Sequence, residues 1–196
     1  MANTKADPKK VHIALQWKHS SPLIACCFEP KGRYVITSGE DYQLQRWEVP
    51  SGKKISWPAH DSWVRDIVFL PDGETFITAG CDDKIIFWPT SAEKPKPIRT
   101  LQAHKGWIRS LSVSTDGKMF ASGGNDRLVK LWNSADGKLI QEFSGHKLDV
   151  YSTLIHPNGK TLISGDQGGK ICEWEIASGK LIRNFDAKVL LTNNTQ

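Results

Sequence analysis

Residues 60–88 read HDSWVRDIVFLPDGETFITAGCDDKIIFW. Three short apolar segments, Val64 to Phe69, Thr75 to Ala79 and Lys84 to Trp88, are divided by Pro71-Asp72-Gly73 and by a polar turn around Asp82. Runs this short, bounded by turn residues, predict antiparallel strands joined by hairpins and leave no room for a useful helix. The stretch has three counterparts. His19, His60, His104 and His146 recur at intervals of 41, 44 and 42 residues, and Trp47, Trp88, Trp132 and Trp174 each follow their His by 28. Gly32, Gly73, Gly117 and Gly159 stand 13 residues after each His. Between each Trp and the next His lies a fourth short run, such as Lys138 to Phe143, introduced by Ser51-Gly52, Asp136-Gly137 or Ser178-Gly179. Repetition with constant internal spacing predicts four meanders of four strands each.

The whole chain is compatible with that reading. Its 196 residues, 39% hydrophobic and 24% charged, suffice for one domain with a sizeable core and exclude general disorder. No apolar run approaches the length of about 20 residues that a bilayer demands, and Met1 to Lys10 is polar with no apolar signal region. A cytoplasmic protein is the expectation. The four cysteines, Cys26, Cys27, Cys81 and Cys172, lack metal-ligand spacing and read as small core residues, so no metal and no cofactor is expected. The net charge of +5 is scattered between a leading tail and a Pro-rich turn, which speaks for a solvated surface and against nucleic-acid binding.

The fourfold array resembles a run of WD repeats, covering residues 11–186. The resemblance implies an all-β fold, a WD-repeat β-propeller of four four-stranded antiparallel blades, open or part of a larger ring. Its repeats fall at 11–48, 52–89, 96–133 and 138–175, with a final strand at 180–186, a disordered tail at 1–10 and a second tail at 187–196. The signature is imperfect. Each Trp is followed by Glu48, Pro89, Asn133 or Glu175 rather than Asp, and only Gly145-His146 keeps the Gly-His pair.

Ten residues before each Trp stands a hydroxyl, Thr37, Thr78, Ser122 or Ser164; six before stand Asp41, Asp82 and Asp126, with Gly168 in the fourth unit. A Ser, His and Asp suggest hydrolytic chemistry, but an enzyme needs one such site, and four copies at equal spacing indicate a structural device. WD-repeat blades resemble this in joining His, Ser/Thr, Asp and Trp by hydrogen bonds. The implied tetrads are His19, Thr37, Asp41 and Trp47; His60, Thr78, Asp82 and Trp88; His104, Ser122, Asp126 and Trp132; and an incomplete set, His146, Ser164 and Trp174. The fourth unit has Asp166 two residues earlier and glycines at 168 and 169, so its turn is expected to be reshaped and the unit to be the least stable. No catalytic residue is assigned. His12 and His156 belong to no motif and are expected to face solvent.

If the tetrads are scaffold, binding falls to exposed residues that vary between repeats. The positions three and five residues after each His share a side of the entering strand by alternation. They hold Pro22 and Ile24, Trp63 and Arg65, Trp107 and Arg109, and Asp149 and Tyr151. In WD-repeat propellers the equivalent places line the channel mouth, together with the residue before the turn Asp, here Glu40, Cys81 or Asn125, with Gln167 in the fourth unit. Trp63, Arg65, Trp107, Arg109, Asp149 and Tyr151 form a set rich in the residues that dominate interfaces, and the arginines favour a protein or peptide partner bearing carboxylate or phosphate. The implied function is a non-catalytic scaffold binding a protein or peptide through this face. The alternatives are a regulatory segment of a larger enzyme and a nucleic-acid or ribosome-associated module.

Four units are few for the family, whose usual seven blades need about 290 residues. Val11 to Trp17 also reads as a surplus fourth-type strand, while Lys180 to Phe185 already completes the last unit. Two outcomes are expected, in this order: a piece of a longer propeller, or two copies joining as a homodimer into an eight-bladed ring.

Overall fold

The computed structural model describes residues 15–187. Sixteen strands form four antiparallel sheets, each a meander in chain order. The first contains β1 (Leu23–Phe28), β2 (Tyr34–Gly39), β3 (Gln43–Glu48) and β4 (Lys54–Pro58). The second contains β5 (Val64–Phe69), β6 (Thr75–Gly80), β7 (Lys84–Pro89) and β8 (Arg99–Gln102). The third contains β9 (Ile108–Val113), β10 (Met119–Gly124), β11 (Val129–Asn133) and β12 (Leu139–Phe143). The fourth contains β13 (Val150–Ile155), β14 (Thr161–Asp166), β15 (Lys170–Glu175) and β16 (Leu181–Asp186).

Turn chemistry sets the hairpins. Between the first two strands of each sheet the repeated glycine takes a left-handed conformation, with φ of 72°, 73°, 71° and 67° at Gly32, Gly73, Gly117 and Gly159. Each donates its N–H to the carbonyl three residues back, as Gly73 does to Leu70 at 2.9 Å. A side chain there would meet the strain of positive φ. The next turn also needs one left-handed residue. Tyr42, Asp83 and Arg127 fill that place with φ of 62°, 67° and 68°, and Gly169 fills it in the fourth sheet.

No helix covers these sheets among the described residues, so each sheet buries its faces against its neighbours. Three apolar layers result, one per junction. Ile36, Leu44 and Trp57 of the first sheet meet Val64, Phe69, Phe76 and Trp88 of the second. Ile77, Ile85 and Phe87 then meet Ile108, Leu111, Phe120 and Trp132. Val129, Leu131 and Phe143 meet Val150, Ile155, Leu162 and Trp174. Polar contacts fix the junctions near the inner strands: Ser38 Oγ donates to the Val64 carbonyl at 3.0 Å, the Leu111 N–H donates to Asp66 Oδ2 at 2.6 Å, and the Thr153 N–H donates to Ser110 Oγ at 3.0 Å.

The end faces carry the same kinds of residue without a neighbour. Phe28 is 66% exposed where Phe69, its counterpart, is 8% exposed. Ile171, Leu154 and Phe185 lie bare on the fourth sheet. The leading segment departs from expectation. Residues 11–14 of the anticipated surplus strand lie outside the described residues, and Leu15 to Trp17 has no strand structure. Trp17 instead stacks on Trp47, with ring centroids 5.5 Å apart and planes at 8°. Within the array Trp57 and Phe143 lean on Trp88 and Trp174, although at steeper ring angles. Trp17 thus supplies to the first sheet what a preceding fourth strand supplies to the others. His12 and both anticipated tails also fall outside the described residues, apart from Ala187. His156 is exposed.

Phe69 and Phe28 give a direct test of how much a junction contributes. Phe69→Ala is expected to cost about 3 kcal/mol and Phe28→Ala under about 0.5 kcal/mol in urea unfolding, because only the first opens a cavity in a packed layer.

Candidate functional site

The repeated polar residues meet inside three of the sheets. His60 Nδ1 lies 2.8 Å from Asp82 Oδ1, His60 Nε2 lies 2.8 Å from Thr78 Oγ1, and the Trp88 indole N–H donates to the same Thr78 oxygen at 2.9 Å. A carboxylate only accepts, so the proton sits on Nδ1, Nε2 accepts from the hydroxyl, and the hydroxyl accepts from the indole. His104 repeats the arrangement with Asp126 at 2.8 Å and Ser122 at 2.7 Å, and Trp132 donates to Ser122 at 2.9 Å. The glycine two residues before each of these aspartates makes the room. A Cβ on Gly80 would collide with Asp82 Oδ1 and His60 Nδ1.

The fourth set is complete, contrary to expectation. Asp166 Oδ2 lies 3.0 Å from His146 Nδ1, Ser164 Oγ lies 2.7 Å from Nε2, and Trp174 donates to Ser164 at 2.8 Å. Here Gly and Asp have exchanged places: Gly80-Cys81-Asp82 and Gly124-Asn125-Asp126 become Asp166-Gln167-Gly168. The carboxylate reaches the same imidazole from the strand end instead of the turn. The exchange is visible in the sequence, as a reversed Gly-x-Asp.

The first set is the one that does not assemble. Trp47 donates to Thr37 Oγ1 at 3.1 Å, but His19 Nδ1 accepts the Ser21 N–H at 3.1 Å and its Nε2 is buried without a partner among the described residues. The Asp41 side chain accepts the Gln43 N–H at 3.2 Å instead of an imidazole. His60, His104 and His146 each follow an anchored fourth strand, whereas among the described residues His19 follows irregular chain that does not hold its ring in the Asp-facing orientation. The hydroxyls of Thr78, Ser122 and Ser164 are buried beneath their indoles, out of reach of a substrate in solvent.

Above these sets, a second group gathers at the start of the inner strands. The ladder of each first hairpin breaks at one place: Val64 pairs Gly80 but Asp66 pairs Ala79, Ile108 pairs Gly124 but Ser110 pairs Gly123, and Val150 pairs Asp166 but Ser152 pairs Gly165. Arg65, Arg109 and Tyr151 are the extra residues. Such a bulge re-aims its side chain, so it is the bulge rather than simple alternation that brings the fifth position after His beside the third. The backbone of the third position is pinned, since the Trp63 and Trp107 carbonyls accept the Cys81 and Asn125 N–H groups at 2.8 and 2.9 Å.

The side chains form a ladder across three sheets. Arg65 lies 5.3 Å from the Trp63 ring centroid and 5.7 Å from that of Trp107. Arg109 lies 4.7 Å from both Trp107 and Tyr151, and its Nε donates to Asn125 Oδ1 at 2.9 Å. Trp63 and Trp107 meet edge to face at 6.4 Å. Trp107 and Tyr151 are 39% and 44% exposed. Asp149 occupies the third position of the fourth sheet, where its carbonyl accepts the Gln167 N–H at 2.9 Å, and Pro22 and Ile24 hold the equivalent places in the first sheet with no aromatic ring or charge. Asn125 joins the site by orienting Arg109; its place before the turn Asp marks it as a mouth residue, but its residue type does not single it out as a contact.

These features define a class first: a repeat array of propeller blades with a scaffold inside and an aromatic and basic display at one edge. The sequence profile of the family described as "WD domain, G-beta repeat" matches residues 12–48, 52–89, 95–133 and 137–175, and the chain belongs to that family. Its repeats are generally non-catalytic protein-interaction scaffolds. The chain is 32% identical over 73 residues to apoptotic protease-activating factor 1 of Homo sapiens and 35% identical over 72 residues to actin-interacting protein 1-2 of Arabidopsis thaliana. Those alignments take in 37% and 36% of this chain, and only 6% and 12% of the relatives' own lengths.

The tetrads generate two measurable consequences. Burial pushes the Asp82, Asp126 and Asp166 carboxyls up, but the hydrogen bonds from each His and from backbone N–H groups outweigh it and leave them below the usual range. Their stabilisation is therefore present above the unfolded carboxyl value of about 4 and is lost as pH falls through the lower folded values. Thermal unfolding followed against pH is expected to show an acid limb, and Asp82→Asn is expected to shrink it. Ser122→Ala strands both the Trp132 N–H and His104 Nε2, and is expected to cost about 2 to 3 kcal/mol, against under about 1 kcal/mol for Asp41→Ala.

Proposed function

We propose that this chain is a non-catalytic scaffold that captures a protein or peptide segment on the face formed by Trp63, Arg65, Trp107, Arg109 and Tyr151. The observation that carries the reading is the ladder itself. Three aromatic rings and two guanidiniums from successive sheets are held in one row, partly exposed, on backbone fixed by hydrogen bonds and bulges. Trp, Tyr and Arg dominate binding energy at interfaces because they bury large area at low entropic cost. The relatives' names, a protease-activating factor and an actin-interacting protein, describe proteins that act on other proteins, which agrees with this reading.

A second reading concerns the two ends. Exposed Phe28, Ile171 and Phe185 match residues buried at the internal junctions, so both end faces fit another blade, supplied either by further repeats of a longer propeller or by a second copy of the chain docking its fourth sheet on the first to form an eight-bladed ring. Trp17 would have to leave Trp47 for the incoming fourth strand. Light scattering that reports a single-copy mass at high concentration rules the second copy out.

For the binding face, affinity capture of partner proteins by the wild type is expected to be lost in Trp107→Ala and Arg109→Ala, each weakening binding by about 2 kcal/mol. The unfolding midpoint of both variants stays at the wild-type value. Capture that survives both substitutions overturns the assignment.

A further inference from the structure

Three contacts recur where one sheet meets the next. The tetrad Trp of the second and fourth sheets takes a ring from a fourth strand: Trp57 lies 6.0 Å from Trp88, and Phe143 lies 5.7 Å from Trp174. The glycine of the last hairpin packs on the fourth strand of the preceding sheet, so a Cβ on Gly137 would press on Arg99 and Leu101, and one on Gly179 would press on Gln141. The inner strand gives an N–H to the second residue of the preceding sheet's bulge, Leu111 to Asp66 and Thr153 to Ser110. On the outward face of the first sheet Trp17 supplies the first two contacts. It stacks 5.5 Å from Trp47, and a Cβ on Gly52 would press on its Nε1. Its hold is light, since Leu15, Gln16 and Lys18 are exposed and Leu15 to Trp17 has no strand structure.

The fourth sheet carries all three contacts at the matching places. Phe185 pairs Ile171 as Trp57 pairs Leu44 and Phe143 pairs Val129, so it holds the place of the rings that lie on Trp88 and Trp174. Arg183, opposite Glu173, stands where Arg99 and Gln141 stand opposite Phe87 and Leu131. Ser152 is exposed and is the second residue of the fourth bulge, in the position of Asp66 and Ser110. Its match on the first sheet is Cys26, opposite Thr37 as Leu111 and Thr153 are opposite Ser122 and Ser164. We propose that Trp17 is a removable cap, which holds the outward face of the first sheet until the fourth sheet of a second copy displaces it; the proposal rests on the second-copy reading of the end faces. Displacement brings Phe185 onto Trp47, Arg183 against Gly52 and Ser152 to the Cys26 N–H. Two copies that close a ring make two such junctions, so both caps leave and the cap equilibrium enters twice. The cap thereby sets the concentration at which copies associate, and it shields Trp47 while the chain is alone.

The test is light scattering over a concentration series, with thermal unfolding as the check on folding. The expected result is that the wild-type chain passes from one copy to two, and that Trp17→Ala reaches two copies at a concentration lower by about tenfold or more, because a ring stack no longer competes at either junction. Trp17→Phe, which keeps a ring, moves the midpoint less. Ile171→Lys places a charge on the docking face of the fourth sheet and abolishes association in both backgrounds, with the unfolding midpoint unchanged. A wild-type chain that forms two copies at the same concentration as Trp17→Ala, or at a lower one, overturns the cap and leaves the second-copy reading standing. Association of Trp17→Ala that survives Ile171→Lys runs through another surface and overturns the cap. Growth beyond two copies shows end-to-end docking that does not close, and overturns the ring together with the cap. A wild-type mass that stays single-copy at high concentration overturns both, since one ring stack per junction shifts an association midpoint and does not abolish association; the end faces then fall to further repeats of a longer propeller.

Discussion

A four-stranded sheet with no helix to cover it can bury its faces only on another sheet, and that single constraint organises this molecule. Each junction joins the face of one meander to the opposite face of the next, so Ile85 and Phe87 lie against Phe120 and Trp132 as Leu131 and Phe143 lie against Leu162 and Trp174. The layers are apolar and close to non-directional, and something else must fix the angle and height of one blade on another. The hydrogen bonds of Asp66 and Ser110 to the Leu111 and Thr153 N–H groups do this at the inner strands. Farther out, the His-centred tetrads tie each connecting loop to the two central strands of the next sheet.

Most of this architecture is legible in the sequence, because the constraint repeats. A spacing of 28 from His to Trp, with a turn glycine at 13, leaves room for little except three short strands and two hairpins. The internal agreement of four copies carries more information than any one copy. What spacing does not convey is how a side chain reaches its place. The fourth carboxylate lies off the fixed offset, since Asp166 stands where Gly80 and Gly124 stand and Gly168 stands where the aspartates do. The space is the same after the exchange: the residue that vacates room and the residue that uses it have changed order. The first set fails in the opposite sense. Gly39, Asp41, Thr37 and Trp47 all occupy their expected positions, yet His19 pairs with Ser21 because no anchored fourth strand leads into it among the described residues.

The aromatic and basic row shows the same division. Alternation along a strand locates the third and fifth positions after His, and the residue types mark them as unusual. The bulges that turn Arg65, Arg109 and Tyr151 into one row have no signature in a single hairpin, since a bulge arises from how two strands meet. Nor does sequence alone show that each arginine is held between rings contributed by two different sheets. That arrangement makes the row a property of the array. A single blade would carry Trp107 and Arg109, but it could not place Arg65 on one side and Tyr151 on the other.

This coupling between blades also explains why a charged, partly exposed row can coexist with a stable scaffold. The guanidiniums sit at bulges, outside the regular ladders, so their charge leaves the strand pairing below untouched. The apolar layers and the buried tetrads supply the rigidity, and the ladder inherits it through pinned carbonyls at Trp63 and Trp107. Rigid placement of Arg, Trp and Tyr reduces the entropy lost on binding, which is the physical advantage a repeat scaffold offers over a flexible loop bearing the same residues. The first sheet, with Pro22 and Ile24 at the equivalent positions and an unassembled His19, contributes neither a rung nor a full tetrad. The His-centred networks and the aromatic row therefore coincide in the second, third and fourth sheets, while the junction layers run through all four.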